Sequence, residues 1–142
     1  MLRATFLIVV FAGLLSASAW GKDCTREDAI AAESIPYYIE SWRKMHEAFD
    51  YYGHCDDGSI AEAFSDSIVR LLASRWERLP EFDREQRKAP AFRAFVLRHI
   101  DATAATEDID RVELLATRKC PKGFSALCHQ IQKAAKEAGR DQ

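Results

Sequence analysis

The stretch Ile60–Leu72, IAEAFSDSIVRLL, decides the fold class of this chain. Its large apolar residues recur at intervals of three or four positions, whereas Glu62, Asp66 and Arg70 occupy the positions between them. That period places the apolar residues on one side of an amphipathic α-helix. The stripe continues beyond the quoted stretch and comprises Ile60, Phe64, Ile68, Leu71, Leu72, Trp76 and Leu79. Pro80 is expected to close the helix, because proline interrupts helical hydrogen bonding.

The segment upstream of this helix shows the same periodicity. Thr25 is a suitable N-cap for a helix that Pro36 kinks or restarts. A second apolar stripe follows, made of Tyr38, Trp42, Met45, Phe49 and Tyr52. Gly53 is expected to end the helix, because glycine accepts the left-handed conformation common after helices.

Downstream, Pro90, Thr106 and Ser125 open or precede three further helical patterns, and the charged residues 81–89 are expected to form a short helical turn or loop. No segment alternates with the period of two that is typical of a strand. The sequence therefore predicts an all-α fold, a small bundle of about five helices.

The first 19 residues have the pattern of a signal peptide. Arg3 precedes an apolar run from Phe6 to Leu15, and Ala17-Ser18-Ala19 matches the small-residue site that signal peptidase reads. We expect cleavage after Ala19 and a single helical domain over residues 20–142, periplasmic or secreted, with no membrane insertion after cleavage. The sequence does not indicate an oligomeric state.

Four cysteines lie in the mature part, namely Cys24, Cys55, Cys120 and Cys128. An even number in an exported chain indicates two disulfides. Cys120–Cys128 with Cys24–Cys55 is the favoured pairing, and the second bond requires a bend near Pro36. A straight helix would separate Cys24 from Cys55 by roughly 40 Å, and then Cys24–Cys128 with Cys55–Cys120 would be favoured.

Charge is distributed unevenly along the chain. Residues 23–66 contain 11 acids and 3 bases, whereas residues 70–98 contain 8 bases and 4 acids. The overall excess of acids argues against nucleic-acid binding, which requires a basic surface. The two regions either pair partly with each other as solvated surface, or the acidic one binds a basic protein partner.

No motif for catalysis, metal or cofactor binding stands out. The run His54-Cys55-Asp56-Asp57 resembles a metal cluster, but adjacent residues cannot all face one ion. A helix cap and a disulfide explain it better. Cys128-His129 lacks the second cysteine of a haem site, and Glu62 with Asp66 is a weak candidate for a catalytic carboxylate pair. We therefore expect no enzyme activity and no cofactor.

Paired tyrosines are the best candidates for contact with a partner. Tyr37-Tyr38 and Tyr51-Tyr52 are doublets, and neighbours on a helix point about 100° apart, so one member of each leaves the core. Tyrosine is favoured in binding interfaces. The predicted contact residues, for a basic protein partner, are Tyr37, Tyr51, Asp56, Asp57 and Glu62.

The overall plan, which is exported, helical and disulfide-bearing, is similar to that of small periplasmic immunity proteins of the Rap/Tai kind. Segments 63–72 and 91–101 also resemble a bacterial exported family of unknown function. The resemblance to the immunity proteins implies a non-catalytic binding protein that inhibits a secreted toxin or hydrolase. The alternatives are a small-ligand carrier or sensor with a pocket between helices, and a hydrolase with a carboxylate pair.

Overall fold

The computed structural model describes residues 22–34 and 38–142, and in that part the chain is all-α. It contains seven α-helices, two 3₁₀ turns at Gly53–Cys55 and Trp76–Arg78, and no strand. The helices are α1 (Arg26–Ser34), α2 (Trp42–Tyr52), α3 (Gly58–Ser74), α4 (Leu79–Lys88), α5 (Pro90–Arg98), α6 (Thr106–Arg118) and α7 (Ser125–Arg140). The all-α prediction is confirmed. The expected segment Met1–Ala19 and the bend at Pro36 lie outside the described residues.

The prediction of about five helices is wrong by two, for two separate reasons. First, α1 and α2 are distinct helices, in agreement with a helix that restarts, whereas the count of five treats them as one. Second, residues 81–89, expected to form a short helical turn or loop, form most of the ten-residue helix α4. Pro80 lies in the first turn of α4 instead of closing α3, because proline lacks only an amide hydrogen that would be unsatisfied there anyway. Trp76 therefore lies in a 3₁₀ turn, and Leu79 begins the next helix.

Helix α2 differs from its prediction at both ends. Ser41 is the N-cap, and its hydroxyl accepts a hydrogen bond from the amide of Lys44. Tyr38 consequently precedes the helix and is 81% exposed, so its assignment to the buried stripe was wrong. Gly53 does follow the helix, but with a right-handed φ of −61°. Its lack of a side chain serves Phe49 instead, since an added Cβ would lie 2.9 Å from the Cδ2 atom of that ring.

The core is built around α3 and a cluster of aromatic rings. Nine residues of α3 are buried, among them Phe64, Ile68 and Leu72. Aromatic residues from α2, α4 and α5 close over this helix, and the rings of Trp42 and Phe82 stack with centroids 4.5 Å apart. Burial of this much apolar surface is the main stabilising term of the fold.

Both disulfides of the favoured pairing are present. Cys24–Cys55 joins the chain just before α1 to the turn that follows α2, with 4.9 Å between the Cα atoms. Cys120–Cys128 joins the connection after α6 to α7. The prediction is confirmed, and the alternative of Cys24–Cys128 with Cys55–Cys120 is excluded. Disulfides persist in oxidising compartments. None of the helices described here has the length and apolar character that a membrane crossing requires.

Candidate functional site

Four consecutive residues between α2 and α3 each hold a different part of the structure. His54 bonds to Asp28 of α1, and Cys55 forms the disulfide with Cys24. Asp56 bonds to α5, and Asp57 caps α3. We call residues 54–57 the turn cluster. The expectation that a disulfide and a helix cap explain this motif is confirmed for Cys55 and Asp57.

The carboxylate of Asp56 is largely covered and is bound by side chains at the end of α5. One carboxylate oxygen accepts a hydrogen bond from His99 Nε2 at 2.8 Å, and the other accepts one from Arg98 Nη2 at 2.5 Å. The side chains of Asp56 and His99 are 11% and 3% exposed. Asp56 therefore fastens the turn cluster to the end of α5, which leaves little of its carboxylate for a partner.

His99 has no free ring nitrogen. Its Nδ1 donates to the carbonyl oxygen of Phe95 at 2.8 Å, while Nε2 donates to Asp56. The hydroxyl of Ser65 donates to Asp101 at 2.7 Å instead of to a histidine. This arrangement offers His99 no role as the base that would activate a serine.

The other predicted acidic contacts are at the surface. Asp57 accepts a hydrogen bond from the amide of Gly58 at 2.8 Å and is exposed, and Glu62 is exposed on α3. Asp66, the partner of Glu62 in the candidate catalytic pair, is 2.6 Å from Arg70 Nη1. Its carboxylate is therefore held in an ion pair along the helix.

A groove lined by tyrosines lies between the end of α1 and α2. We call it the tyrosine groove; its volume is about 350 Å³, and Ser34, Tyr38, Ile39, Ala48, Tyr51 and Tyr52 contribute to its lining. Tyr38 and Tyr51 are 81% and 69% exposed. The structure thus brings the predicted contact Tyr51 together with Tyr38, while the predicted contact Tyr37 lies outside the described residues.

Tyr38 is the groove residue that the apolar periodicity misassigned. The signal that could have found it is Ser41, a preferred N-cap residue directly before Trp42. A helix that starts after Ser41 leaves Tyr38 outside the amphipathic stripe, where burial no longer follows from spacing.

A second depression adjoins the tyrosine groove and shares Tyr38 and Lys44 with it. Its volume is about 500 Å³, and Arg43, Arg75 and Arg78 supply positive charge. Arg78 is already engaged, because its guanidinium donates to the carbonyl of Glu40 and lies 3.2 Å from Glu81. Glu40 and Glu77 also line this depression, so its charge is mixed.

Three carboxylates have a lowered pKa because cations are bound to them. The hydrogen bond from His54, followed by that from Lys22, lowers the pKa of Asp28. The hydrogen bond from His46, followed by that from Lys88, lowers the pKa of Glu85. The hydrogen bond from Lys44 lowers the pKa of Glu47. These acids are internally compensated.

The remaining acids of the first half leave an uncompensated negative surface. In residues 22–34 and 38–66, six acidic side chains make no ion pair within the described chain, against one basic side chain, Arg26. The six are Asp23, Glu27, Glu33, Glu40, Asp57 and Glu62. Acids of residues 23–66 pair with bases of residues 70–98 at Asp56 with Arg98 and at Asp66 with Arg70. Much of the sequence asymmetry therefore persists as surface charge.

Potential metal ligands are dispersed over the part of the chain that the structure describes. Across residues 22–34 and 38–142, no group of three or more histidine, cysteine or acidic side chains is arranged to hold a metal ion. His46, which borders the stripe of α2, is partly buried, donates to Glu85 from Nδ1 at 3.0 Å and stacks on Phe92. Its role in the fold is packing and hydrogen bonding.

Comparison of this chain with protein-family models, with curated proteins and with solved structures gives no match in any of the three.

Proposed function

We propose that this chain is an exported, non-catalytic binding protein that attaches to a basic protein partner through the tyrosine groove. The observation that carries the proposal is the exposure of Tyr38 and Tyr51 on one groove. Large aromatic side chains left in solvent at a concave surface are typical of interface anchors, because their burial contributes area at little cost in side-chain entropy.

The charge of the partner follows from the acidic side chains of residues 22–34 and 38–66, the part of the chain that also contains the tyrosine groove. The unpaired acids described above outnumber the unpaired bases in the same part of the chain by six to one. Opposite charge accelerates the encounter of two proteins and disfavours wrong partners. A basic protein surface is therefore the occupant that the charge pattern favours.

An immunity-like inhibitor is the specific form of this proposal. Such a protein occupies a secreted toxin or hydrolase and needs a stable scaffold with a rigid contact surface, but no chemistry of its own. The two disulfides and the internally bonded histidines support a scaffold of this kind. The periplasm is the compartment we propose, because the disulfides need an oxidising environment.

Affinity capture with matched variants tests the tyrosine groove. Tagged mature protein, the double variant Tyr38→Ala/Tyr51→Ala and the control Leu114→Ala are each incubated with periplasmic extract. Leu114 is a comparable exposed apolar side chain, 53% exposed on α6. The wild type and the control should retain the same protein, and the tyrosine variant should lose it. Equal retention by all three, or no retained protein, would contradict the proposal.

The captured protein then permits a test of charge and of inhibition. Asp57→Asn keeps most of the capping ability of Asp57 but removes its charge. Combined with Glu62→Gln, it should slow association at low salt while leaving the melting temperature unchanged. If the partner is a hydrolase, an equimolar amount of wild-type protein should suppress its activity, and the tyrosine variant should not. Unchanged association would exclude the acidic residues from the contact.

A further inference from the structure

Helix α1 has only a small hydrophobic attachment to the core, through Ala29 and Ala32. It spans nine residues, and Ala32 is the one residue of the helix that is buried. Its large apolar residue, Ile30, is 60% exposed. By contrast, α3 buries nine residues in the core. An isolated helix of this length is marginal in water, so its order depends on what holds it to the rest of the protein.

The disulfide and the polar contacts that hold α1 lie at its first turn. The disulfide Cys24–Cys55 precedes the helix, and Asp28 binds His54 at 3.0 Å and Lys22 at 3.1 Å. His54 and Cys55 are adjacent in the turn cluster. The ion pair and the disulfide therefore hold α1 to the same short turn. The covalent bond brings Asp28 next to His54, since the ion pair by itself is partly exposed and therefore weak.

We propose that α1 is a redox-controlled arm, docked on α2 and α3 while Cys24–Cys55 is oxidised and released when that disulfide is reduced. Release would change the tyrosine groove, because Ser34 at the end of α1 contributes to its wall. The consequence for partner binding rests on the function proposed above: the groove would be complete only in an oxidising compartment.

The redox step requires a reductant of the dithiol class. One thiolate of the dithiol attacks the sulfur of Cys24, which is exposed, whereas Cys55 is 3% exposed. The S–S bond between the two cysteines breaks and a mixed disulfide forms. The second thiolate of the reductant then displaces Cys24, so that the protein gains two electrons and two protons and the reductant becomes a cyclic disulfide.

Hydrogen exchange of the mature protein tests the arm without any partner. Three forms are compared: wild type, Cys24→Ala/Cys55→Ala, and the control Cys120→Ala/Cys128→Ala, which removes the other disulfide. We expect amides of α1 to exchange faster in the first variant by about two to three orders of magnitude, the factor that the chain entropy of a loop of this size gives. Amides of α3, α5 and α6 should keep their protection, and α1 should stay protected in the control.

Two outcomes would contradict the proposal that Cys24–Cys55 controls the docking of α1. In one, α1 keeps wild-type protection without Cys24–Cys55, so that the disulfide is not what holds it. In the other, protection falls equally in α1 and in α3, so that the disulfide supports the whole fold rather than one helix. Asp28→Asn provides a second measurement with both disulfides intact, and it should raise exchange in α1 by a smaller factor than removal of Cys24–Cys55.

Measurement of partner binding distinguishes a failure of the redox-controlled arm from a failure of the proposed function. If the wild type retains a partner through the tyrosines, Cys24→Ala/Cys55→Ala should retain less of it than the Cys120→Ala/Cys128→Ala control does. Equal retention, together with fast exchange in α1, would overturn the regulatory role and leave the function intact. Absence of any partner for the wild type would contradict the proposed function, while the exchange result would still decide whether α1 is a redox-controlled arm.

Discussion

Replacement of Asp56 by asparagine should destabilise the protein far more than the same change at Asp66. Both carboxylates bind an arginine, at 2.5 Å for Asp56 with Arg98 and at 2.6 Å for Asp66 with Arg70. They differ in burial, because the side chain of Asp56 is 11% exposed and that of Asp66 is 50% exposed. Asp56 also binds the buried ring of His99.

The expected magnitude follows from the two bonds that the substitution weakens. Asparagine can still accept from His99, but the loss of charge on the acceptor turns a hydrogen bond worth about 1.5–3 kcal/mol into one worth about 0.5–1.5 kcal/mol. The partly exposed contact with Arg98 adds about 0.5 kcal/mol. Asp56→Asn should therefore cost about 2 kcal/mol, which corresponds to a fall of about 8 °C in the melting temperature of a domain of this size. Asp66→Asn should cost about 0.5 kcal/mol or less.

Urea denaturation followed by circular dichroism measures both variants against the wild type. The midpoint should fall in Asp56→Asn with an unchanged dependence on denaturant, since the amount of surface exposed on unfolding is the same. Equal losses in the two variants would refute the reasoning, because the burial of Asp56 and its bond to His99 would then contribute nothing. Arg98→Ala should resemble Asp66→Asn, since Arg98 is 58% exposed.

Two further predictions concern the stability of the protein at low pH and the replacement of two glycines by alanine. The pKa of Asp28 and of Glu85 is lower in the folded protein than its ordinary value, so their stabilisation is complete above about pH 4.5 and disappears as the pH falls through the folded values. Denaturation between about pH 6 and pH 3 should show this fall, and a Glu85→Gln variant with an equally steep fall would contradict it. Gly53→Ala should cost about 1–3 kcal/mol, because the new Cβ would lie 2.9 Å from the Phe49 ring, which packs against other core rings. Gly139→Ala meets no atom within 4 Å and lies in α7, so thermal unfolding should show a gain of up to about 1 kcal/mol; a neutral Gly53→Ala would exclude the proposed clash.

The fold class and the disulfides could be predicted because both follow from short-range patterns. Apolar spacing marks the buried faces of α2 and α3, where Trp42, Met45, Phe64 and Ile68 are all buried. The pairing Cys24–Cys55 was favoured on the condition that the chain bends between the two cysteines, and the bond is present. These inferences need no knowledge of the partners of a helix, only of its own periodicity.

The number of helices could not be predicted with the same accuracy, because proline can either end a helix or occupy its first turn. Pro80 was interpreted as the end of a helix, but it lies in the first turn of α4, where it is equally well tolerated. The choice depends on whether the following residues are buried. Phe82, Glu85 and Gln86 supply that burial by packing against other helices, although their sequence is dominated by charge.

The tyrosine groove was missed because two sequence signals disagree at Tyr38. Tyr38 fits the heptad-like spacing of α2, yet the cap at Ser41 starts the helix after it and leaves the ring in solvent. The acidic character of residues 23–66 was visible in the sequence. Which acids are neutralised by partners from other elements was not, as the engagement of Glu85 by His46 illustrates.

The turn cluster shows why composition alone misleads at functional motifs. Asp56 and Asp57 are identical in type and adjacent, but the chain turns between them, so that Asp56 faces α5 and Asp57 caps α3 in an extended conformation. His54 and Cys55 hold α1 from the same turn. Four residues that resemble a metal site are therefore four separate attachments, each to a different partner. Because those attachments share one short turn, loosening any of them should be felt first by α1, the helix with the least buried surface of its own.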